Sequence, residues 1–309
     1  MQDLTNTVKY VKPQAIHIAE YWRDDPSWVL KDSGKNGAGF DAVWYPGLRS
    51  SIREVIAQAA QGNHAFVNLD SLRHSLYKPY GFSAAWNAVQ YIENHDRQRS
   101  ENTNDREPRI AALADASDSR SWYARSRSRV ANGLLLTAPG IPMLFMGQEI
   151  LEDKYWSDAP NPQTFVWWDG LKQDQHMQDF YRYMCDLVGL RRHHPALRDE
   201  GINVFHIHEG NRIIAFQRWQ EGVGRDVVVV ISLNESTFGH YDLGFPMVGE
   251  WLEVFNSDAY DHWLNPNASG NAGRIHANGP PMHGLPHSCG ITIPANSVLV
   301  FARDNGDSI

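Results

Sequence analysis

Long apolar runs are missing from this 309-residue sequence, and no stretch reaches the roughly 20 apolar residues that a membrane-spanning helix needs. Met1 is not followed by a basic stretch and an apolar core, so no secretory signal is predicted. Lys and Arg form no extended block, and the formal net charge is −8. We therefore expect neither a membrane nor a nucleic-acid partner. The one basic run, in residues 120–129, stands beside acidic residues and is predicted to be a solvated helix face.

Cysteine is also scarce, with only Cys185 and Cys289 in the chain. Two cysteines far apart in sequence do not make the disulfide framework of a small secreted domain. We expect two buried free thiols in a reducing compartment, which indicates a cytoplasmic protein. His, Cys and acidic residues do not recur at the spacings of a metal site, so neither a metal nor a cofactor is predicted.

Tryptophan, in contrast, is abundant, with 11 residues. Many of these indoles are expected in the core, where each N–H needs a hydrogen-bond partner. Flat aromatic faces also stack on the C–H faces of sugar rings. The excess therefore agrees with a carbohydrate partner, although packing alone would explain it equally well.

The chain divides near residue 200. Before that point, short apolar strands alternate with amphipathic helices. Strands are predicted at residues 14–20, 39–44, 84–92 and 143–146, and helices at residues 48–61, 122–136 and 174–192. These strand–helix units amount to roughly half of an eight-stranded β/α barrel. Residues 98–120 are predicted to be a long polar loop, which is usually functional when it follows a barrel strand.

After residue 200 the apolar period changes to two, which indicates strands separated by turns. Strands are predicted at residues 204–208, 212–219, 226–234, 249–256, 290–293 and 297–302. Residues 265–290 are rich in Gly, Pro, Asn and His and are predicted to be an irregular loop. The expected organisation is therefore a partial barrel over residues 1–200 and an antiparallel β-sandwich over residues 201–309.

Three apolar runs end in polar residues: Ile-His-Ile-Ala-Glu20, Tyr-Ile-Glu-Asn-His95-Asp96 and Leu-Phe-Met-Gly-Gln-Glu149. Carboxylates at the C-terminal ends of parallel strands build the active site of a β/α barrel. Each also has a plainer interpretation. Glu20 could face solvent, Asp96 could bond to backbone N–H groups of its own turn, and Glu149 could close the barrel rim.

A pair of carboxylates suits the hydrolysis or transfer of a sugar acetal, which needs an acid and a group that stabilises positive charge. Glu20 is a candidate acid because the aromatic residues after it are expected to shield it from water, which favours a protonated carboxyl group. Asp96 is a candidate stabiliser, and His95 could donate a hydrogen bond to a sugar hydroxyl.

At these motifs the sequence resembles the α-amylase superfamily (glycoside hydrolase family 13), the retaining α-glucan enzymes built on a (β/α)8 TIM barrel. Its C-terminal segments and the sequence around Gly147 are most like those of 1,4-α-glucan branching enzymes. The resemblance implies that the chain holds strands five to eight and a β-domain. It also implies that Glu20 is the general acid/base, that Asp96 is the transition-state stabiliser, and that His95, Trp22 and Trp156 bind substrate.

One feature of the family is not found. Its nucleophile is an Asp at the end of the fourth strand, two residues after an Arg and upstream of the acid. Residues 1–19 contain only Asp3, with no such Arg before it. We therefore assign no nucleophile, take residues 1–12 as the tail of the helix before the fifth strand, and expect the chain to be a C-terminal portion that is inactive alone. It could require a missing N-terminal half-barrel or form a homodimer.

The resemblance implies an α-1,4-glucan substrate and a branching reaction that forms α-1,6 linkages. Two alternatives stay open. An amylase-type or trehalose-releasing glycoside hydrolase would use the same residues with water as acceptor, and a non-catalytic α-glucan-binding protein would retain them without chemistry.

Overall fold

The computed structural model of the chain describes residues 1–22, 25–159 and 161–307. The helices are α1 (Gln2–Val11), α2 (Ser27–Leu30), α3 (Gly47–Ala59), α4 (Leu69–Leu76), α5 (Ile110–Ala114), α6 (Trp122–Thr137), α7 (Gly170–Gln173), α8 (Gln175–His193) and α9 (Pro195–Arg198). The strands are β1 (Ile18–Ala19), β2 (Ala42–Trp44), β3 (Ala88–Gln90), β4 (Ile141–Pro142), β5 (Gly201–His208), β6 (Ile213–Trp219), β7 (Val227–Ser232), β8 (Phe238–Phe245), β9 (Gly249–Asn256), β10 (Arg274–Ala277), β11 (His287–Ile293) and β12 (Val298–Ala302). Within the described ranges, no helix combines the length and apolarity that crossing a bilayer would require.

The first sheet is parallel and runs in the order β1-β2-β3-β4. Parallel neighbours need long crossover connections. Helices α3 and α4 connect β2 to β3, and α5 and α6 connect β3 to β4. Strands β1 and β4 are the edges of this sheet. The C-terminal ends of all its strands therefore lie on one side, where Glu20 after β1 meets His95 and Asp96 after β3.

The fourth strand does not lie where the apolar run predicted it. Strand β4 pairs Ile141 with Val89 and Pro142 with Gln90, while residues 143–146 lie outside any strand. The Met143 amide still donates to the Gln90 carbonyl at 2.7 Å, after which the chain leaves the sheet. The apolar side chains that follow pack on the rim of the sheet, and an apolar run alone does not distinguish that environment from a strand.

Two long stretches predicted to be loops contain regular structure. Helix α5 lies inside residues 98–120, and β10 lies inside residues 265–290, where β11 also begins. Strand β10 pairs with β9 at one edge of the six-stranded sheet and alternates exposed and buried residues. Strand β8 and helix α4 were not predicted either. The two strands among these elements depend on partners elsewhere in the sequence, β10 on β9 and β8 on β11, so local composition does not identify them.

The antiparallel part contains a six-stranded sheet, in the order β10-β9-β12-β7-β6-β5, and a two-stranded sheet of β11 and β8. One face of the larger sheet packs against the smaller one. The core between them includes Ile213, Ala215, Val228, Val230, Leu243, Phe245, Trp251, Ile291, Ile293, Leu299 and Phe301. The predicted antiparallel all-β region is thus confirmed.

The other face of the six-stranded sheet packs against α6 and α8. Strand β7 reads Val-Val-Val-Val-Ile-Ser and is buried throughout, because alternate residues enter different cores. Val227 and Val229 belong to the core shared with the helices, whereas Val228 and Val230 face the smaller sheet. The parallel sheet's helices and the β-region therefore share one hydrophobic core.

The predicted solvated face of α6 is wrong. Arg125, Arg127 and Arg129 are all buried. Arg125 lies 2.8 Å from Asp261, and Arg127 lies 2.8 Å from Glu235. Helix α6 is enclosed by α5, α8 and the β-region, so its arginines need carboxylate partners, which the β-region supplies. The acidic residues next to this run in sequence favoured a solvated face, because the sequence does not show that carboxylates from the distant β-region pair with these arginines.

Both cysteines are free, as expected. Their predicted burial is wrong, because Cys185 is exposed and Cys289 is only partly buried. Cys185 stands on the outward face of α8, and its apolar neighbours in sequence point instead toward the shared core. Burial of the Cys289 thiol raises its pKa.

Candidate active site

Glu20 directly follows β1, the short edge strand of the parallel sheet. Its carboxylate accepts a hydrogen bond of 3.4 Å from the Trp22 indole N–H. The Glu20 side chain is 39% exposed. The expected aromatic shielding is therefore only partial among the described residues, and one side of the carboxylate is open to a ligand.

His95 and Asp96 follow β3 after the buried segment from Tyr91 to Asn94. His95 Nε2 lies 3.8 Å from Glu20 Oε1 and 3.4 Å from Asp96 Oδ1. One ligand atom from each of the three side chains lies within 4.8 Å of the others. Residues 75 positions apart in sequence thus meet at the C-terminal ends of β1 and β3. The three atoms are also close enough together to ligate a cation, a use that the sequence did not predict.

The turn after β3 is held by Asn94. Its backbone N–H donates to Gln98 Oε1 at 2.8 Å, and its side-chain oxygen accepts from the Arg97 N–H at 2.9 Å. This arrangement satisfies the turn without using Asp96. Among the described residues, no backbone N–H donates to the Asp96 carboxylate, which is 53% exposed. The plainer interpretation of Asp96 as a turn-stabilising residue is therefore not what the structure contains.

An aromatic wall stands behind the three polar residues. The Trp44 ring centroid lies 6.1 Å from that of Trp22, 5.6 Å from that of Tyr91 and 5.8 Å from that of His95. Trp156 donates its indole N–H to the His95 carbonyl at 2.6 Å. The rings lie edge-on or tilted, an arrangement that favours aromatic contact and fixes the position of His95.

Trp44 and Tyr91 were not among the predicted site residues. The available signal was their position, because Trp44 ends β2 and Tyr91 follows β3, in the same manner as Glu20 follows β1. Burial raises the pKa of Tyr91 to about 12. Its phenol therefore stays neutral over the ordinary pH range and contributes an apolar ring to the wall.

The rim beside His95 is built from two segments that pair with each other. The Trp156 N–H donates to the Gln98 carbonyl at 3.1 Å, and the Ser100 N–H donates to the Trp156 carbonyl at 2.8 Å. Arg99 lies 2.8 Å from Asp158, and its guanidinium carbon lies 5.7 Å from the Trp156 ring centroid. The start of the predicted loop is thus an ordered rim that orients Trp156.

A buried ion pair packs beneath the surface next to the turn that follows β3. Glu93 and Arg109 are 0% and 1% exposed and approach to 2.7 Å. Arg109 also donates to the Met146 carbonyl at 2.9 Å and lies 5.0 Å from the Phe145 ring centroid. The pair therefore connects the segments that follow β3 and β4. A charged pair this deeply buried does not follow from the apolar pattern around it.

The candidate carboxylate Glu149 and one further carboxylate near the sheet, Asp41, lie apart from the group. Asp41 precedes β2 and therefore lies at the N-terminal end of that strand. Its carboxylate accepts hydrogen bonds from the Lys9 ammonium group at 3.1 Å and from the His17 backbone N–H at 2.8 Å. Glu149 lies in the 3-10 turn Gln148–Ile150. Among the described residues, no third carboxylate joins Glu20 and Asp96.

Residues 205–304 match the family described as the alpha amylase C-terminal all-beta domain. The chain is 31% identical to the 1,4-alpha-glucan branching enzyme of Mycobacterium sp. (strain KMS) over 97% of its length and 37% of that enzyme. It is 30% identical to the enzyme of Albidiferax ferrireducens over 97% of its length and 45% of that relative. The chain thus spans less than half the length of these relatives.

Solved structures with the same fold include the alpha-amylase of Geobacillus thermoleovorans complexed with acarbose, with a TM-score of 0.66 at 20% identity, covering 97% of this chain and 56% of that one. A pullulanase of Anoxybacillus sp. complexed with maltotetraose has a TM-score of 0.65 at 19% identity, covering 98% of this chain and 41% of that one. Together with the sequence matches, they show that the chain is similar to 1,4-alpha-glucan branching enzymes over nearly its whole length, shares the fold of these solved structures, and carries a match to the amylase C-terminal all-beta domain at residues 205–304.

Proposed function

We propose that the chain supplies the acid/base half of an α-1,4-glucan active site, and that the reaction is 1,4-α-glucan branching. The observation that carries this proposal is the convergence of Glu20, His95 and Asp96 against an aromatic wall at the C-terminal ends of parallel strands. The similarity to branching enzymes favours transfer to a glucan hydroxyl.

In the proposed mechanism, Glu20 protonates the departing glycosidic oxygen, and Asp96 stabilises the positive charge that develops on the sugar ring. His95 donates a hydrogen bond to a sugar hydroxyl, while Trp22 and Trp156 contact the sugar rings. Glu20 then deprotonates the 6-hydroxyl of an acceptor glucan, which takes up the glycosyl group. Retention of configuration needs a nucleophilic carboxylate about 5 Å from the acid, and we assign that role to chain outside these 309 residues.

We infer that β1 to β4 correspond to strands five to eight of a β/α barrel, within a domain of residues 1–200 that precedes a β-domain of residues 201–309. Both edge strands carry apolar surface: Ile18 on β1 is 46% exposed, and Leu144 and Met146 just after β4 are 36% and 44% exposed. Exposed apolar strand edges pair readily with further strands. A complementary half-barrel would cover both edges and bring the nucleophile to Glu20.

One alternative function is supported by a specific observation. The solved structures of similar fold are an alpha-amylase and a pullulanase, so the same side chains could serve a hydrolase with water as acceptor. A non-catalytic α-glucan-binding protein is the other alternative, since no third carboxylate joins the group among the described residues.

The test is a paired assay on amylose with the purified chain, alone and mixed with the N-terminal half of a branching-enzyme relative. Iodine absorbance reports loss of long linear chains, and a reducing-end assay reports hydrolysis. Glu20→Gln removes the proton that the leaving oxygen needs, so we expect activity to fall by about a hundred- to ten-thousandfold. Glu149→Gln is the matched control, because Glu149 lies outside the group.

Each outcome selects one function. Falling iodine colour in the mixture, without new reducing ends, supports branching, and new reducing ends support a hydrolase. Glucan binding without either change, in the mixture as well as alone, supports the binding protein. Activity that Glu20→Gln leaves intact would contradict the role of Glu20.

A further inference from the structure

A cavity of about 640 Å³ lies at the outer edge of the six-stranded sheet, beside strand β5. It shares no residue with the group of Glu20, His95 and Asp96. Its lining includes the two aromatic residues Tyr77 and Trp219, three carboxamide side chains and two acidic residues, together with Ile202 and two glycines.

Trp219 forms a fixed platform in this cavity. Its indole lies flat on Gly201, where a Cβ would come within 2.6 Å of ring atom Cδ2, so only glycine allows this contact. Trp219 and Gly201 are paired across β5 and β6. No aromatic ring or guanidinium from the described residues stacks on the indole. One face of the ring is therefore covered by backbone, and the half-buried indole also lines the cavity.

Tyr77 provides a second ring in the lining. Its hydroxyl accepts a hydrogen bond of 3.0 Å from the Val204 backbone N–H, which is an unpaired donor of the edge strand. This bond fixes the ring against β5. Two immobilised rings lose little conformational freedom on binding, which favours affinity.

The polar groups of the cavity are mostly carboxamides. Asn203 and Gln217 stand directly opposite each other on β5 and β6. Gln217 donates to Asp226 at 2.5 Å, which leaves its amide oxygen as an acceptor. The side chains of Asn203 and Gln220 take part in no hydrogen bond with the described residues. Each carboxamide offers both donors and acceptors, and a sugar hydroxyl needs both.

The charge of the lining limits the class of ligand. None of the described residues around the cavity is Lys, Arg or His, and Glu221 and Asp226 are acidic, so phosphates and other anions are disfavoured. Two carboxylates, one of them already bonded to Gln217, provide too few ligands for a cation. A neutral polyhydroxylated ligand with apolar ring faces matches the aromatic rings and carboxamides that remain.

We propose that this cavity, here called the Trp219 cavity, is a second α-glucan-binding site. The choice of glucan rests on the function proposed above. Tyr77 lies in the segment that leads into the start of β3, whereas His95 and Asp96 follow its end. The Trp219 cavity therefore lies away from the candidate active site, where it can hold one part of a glucan while another part reacts.

The test is titration of the intact chain with maltoheptaose by calorimetry, together with retardation in a native gel containing glycogen. Loss of one stacking ring is expected to weaken binding about tenfold, so Trp219→Ala should raise the Kd by that factor. Gln220→Ala, which leaves the Trp219 packing untouched, should weaken binding severalfold. Trp263→Ala, 38% exposed in the same β-region, is the matched control and should bind as the parent chain does.

Trp22→Ala separates this inference from the proposed function. Loss of binding in Trp219→Ala and Gln220→Ala, with the binding of Trp22→Ala reduced to a lesser extent or unchanged, supports the second site. Loss in Trp22→Ala alone supports the proposed active site and overturns the Trp219 cavity. A chain that binds neither maltoheptaose nor glycogen also overturns the cavity, while the activity of the mixture with an N-terminal half still decides the proposed function.

Discussion

At the scale of the residue, the candidate site depends on a fully buried ion pair. Glu93 and Arg109 are buried together, and Arg109 also binds the Met146 carbonyl at 2.9 Å. Removing one member of a buried pair leaves the other charge without compensation. This pair therefore couples the stability of the chain to the position of the turn that carries His95.

We expect Glu93→Leu to lower the free energy of unfolding by about 3 to 5 kcal/mol, because it leaves the Arg109 guanidinium buried without a carboxylate. Urea denaturation followed by tryptophan fluorescence measures this loss. The control is Arg99→Leu, which removes a pair with Asp158 whose members are 39% and 61% exposed. Exposed pairs contribute at most about 1 kcal/mol, so equal losses in the two variants would contradict the assignment.

At the scale of the element, the C-terminal end of α6 is stabilised by arginines from other parts of the chain. Arg191 on α8 donates to the Leu136 carbonyl at 2.7 Å, to the Ala138 carbonyl at 2.9 Å and to the Gly140 carbonyl at 2.7 Å. The last carbonyls of a helix have no partner within the helix and carry its negative dipole end. Burial lowers the pKa of Arg191 to about 10, which still leaves the guanidinium charged at neutral pH.

Arg218, on strand β6, also donates hydrogen bonds to carbonyl groups near the C-terminal end of α6. It donates to the Thr137 carbonyl and to the Gly201 carbonyl, the latter at 2.8 Å. Burial lowers the pKa of Arg218 to about 9. Helix α6 therefore ends in a cluster of carbonyls bound by two cations, the half-buried Arg191 and the buried Arg218, and these join the helix to both α8 and β6.

Arg191→Met should cost about 2 to 3 kcal/mol of unfolding free energy, because it keeps the apolar stem and deprives buried carbonyls of their donors. Faster hydrogen exchange in the last turn of α6 is the specific readout. Arg192→Met is the matched control, since Arg192 is exposed and makes no side-chain hydrogen bond with the described residues. Unchanged exchange in Arg191→Met would show that these carbonyls do not depend on Arg191.

At the scale of the whole molecule, one core joins the helices to the six-stranded sheet. It includes Val130, Leu134, Phe180, Tyr183, Leu187, Ile214, Phe216, Val227, Val229, Ile231, Val298 and Val300. The arginines of α6 add ion pairs across the same boundary. Separating the two parts would expose an apolar sheet face and uncompensated charges, so we expect them to unfold together.

Phe216, fully buried in the shared core, tests this expectation. Phe216→Ala should lower stability by about 3 to 5 kcal/mol and should shift near-UV and far-UV circular dichroism transitions by the same amount. Val223→Ala, at a position 43% exposed in a turn, is the control and should shift neither. Two separate transitions, with only one moved by Phe216→Ala, would show that the parts fold independently.

The sequence was sufficient for the features that depend on local pattern. Period-two alternation after residue 200 predicted the antiparallel strands. Apolar runs ending in polar residues predicted that Glu20 would meet His95 and Asp96, but gave no sign that Glu149, at the end of a similar run, would lie apart from them. Their roles in catalysis remain predictions, because position and distance do not reveal chemistry. The limits of residues 1–200 and 201–309 are likewise untested.

Only the tertiary structure decided the features that depend on distant partners. Strand β4 lies at Ile141–Pro142 because β3 offers its unpaired edge there, and β10 exists because β9 pairs with it. The arginines of α6 are buried because Asp261 and Glu235 reach them from the β-region. Periodicity describes how one segment alternates between faces, whereas the burial of a charge or the pairing of a short strand is determined by what the rest of the fold places opposite it.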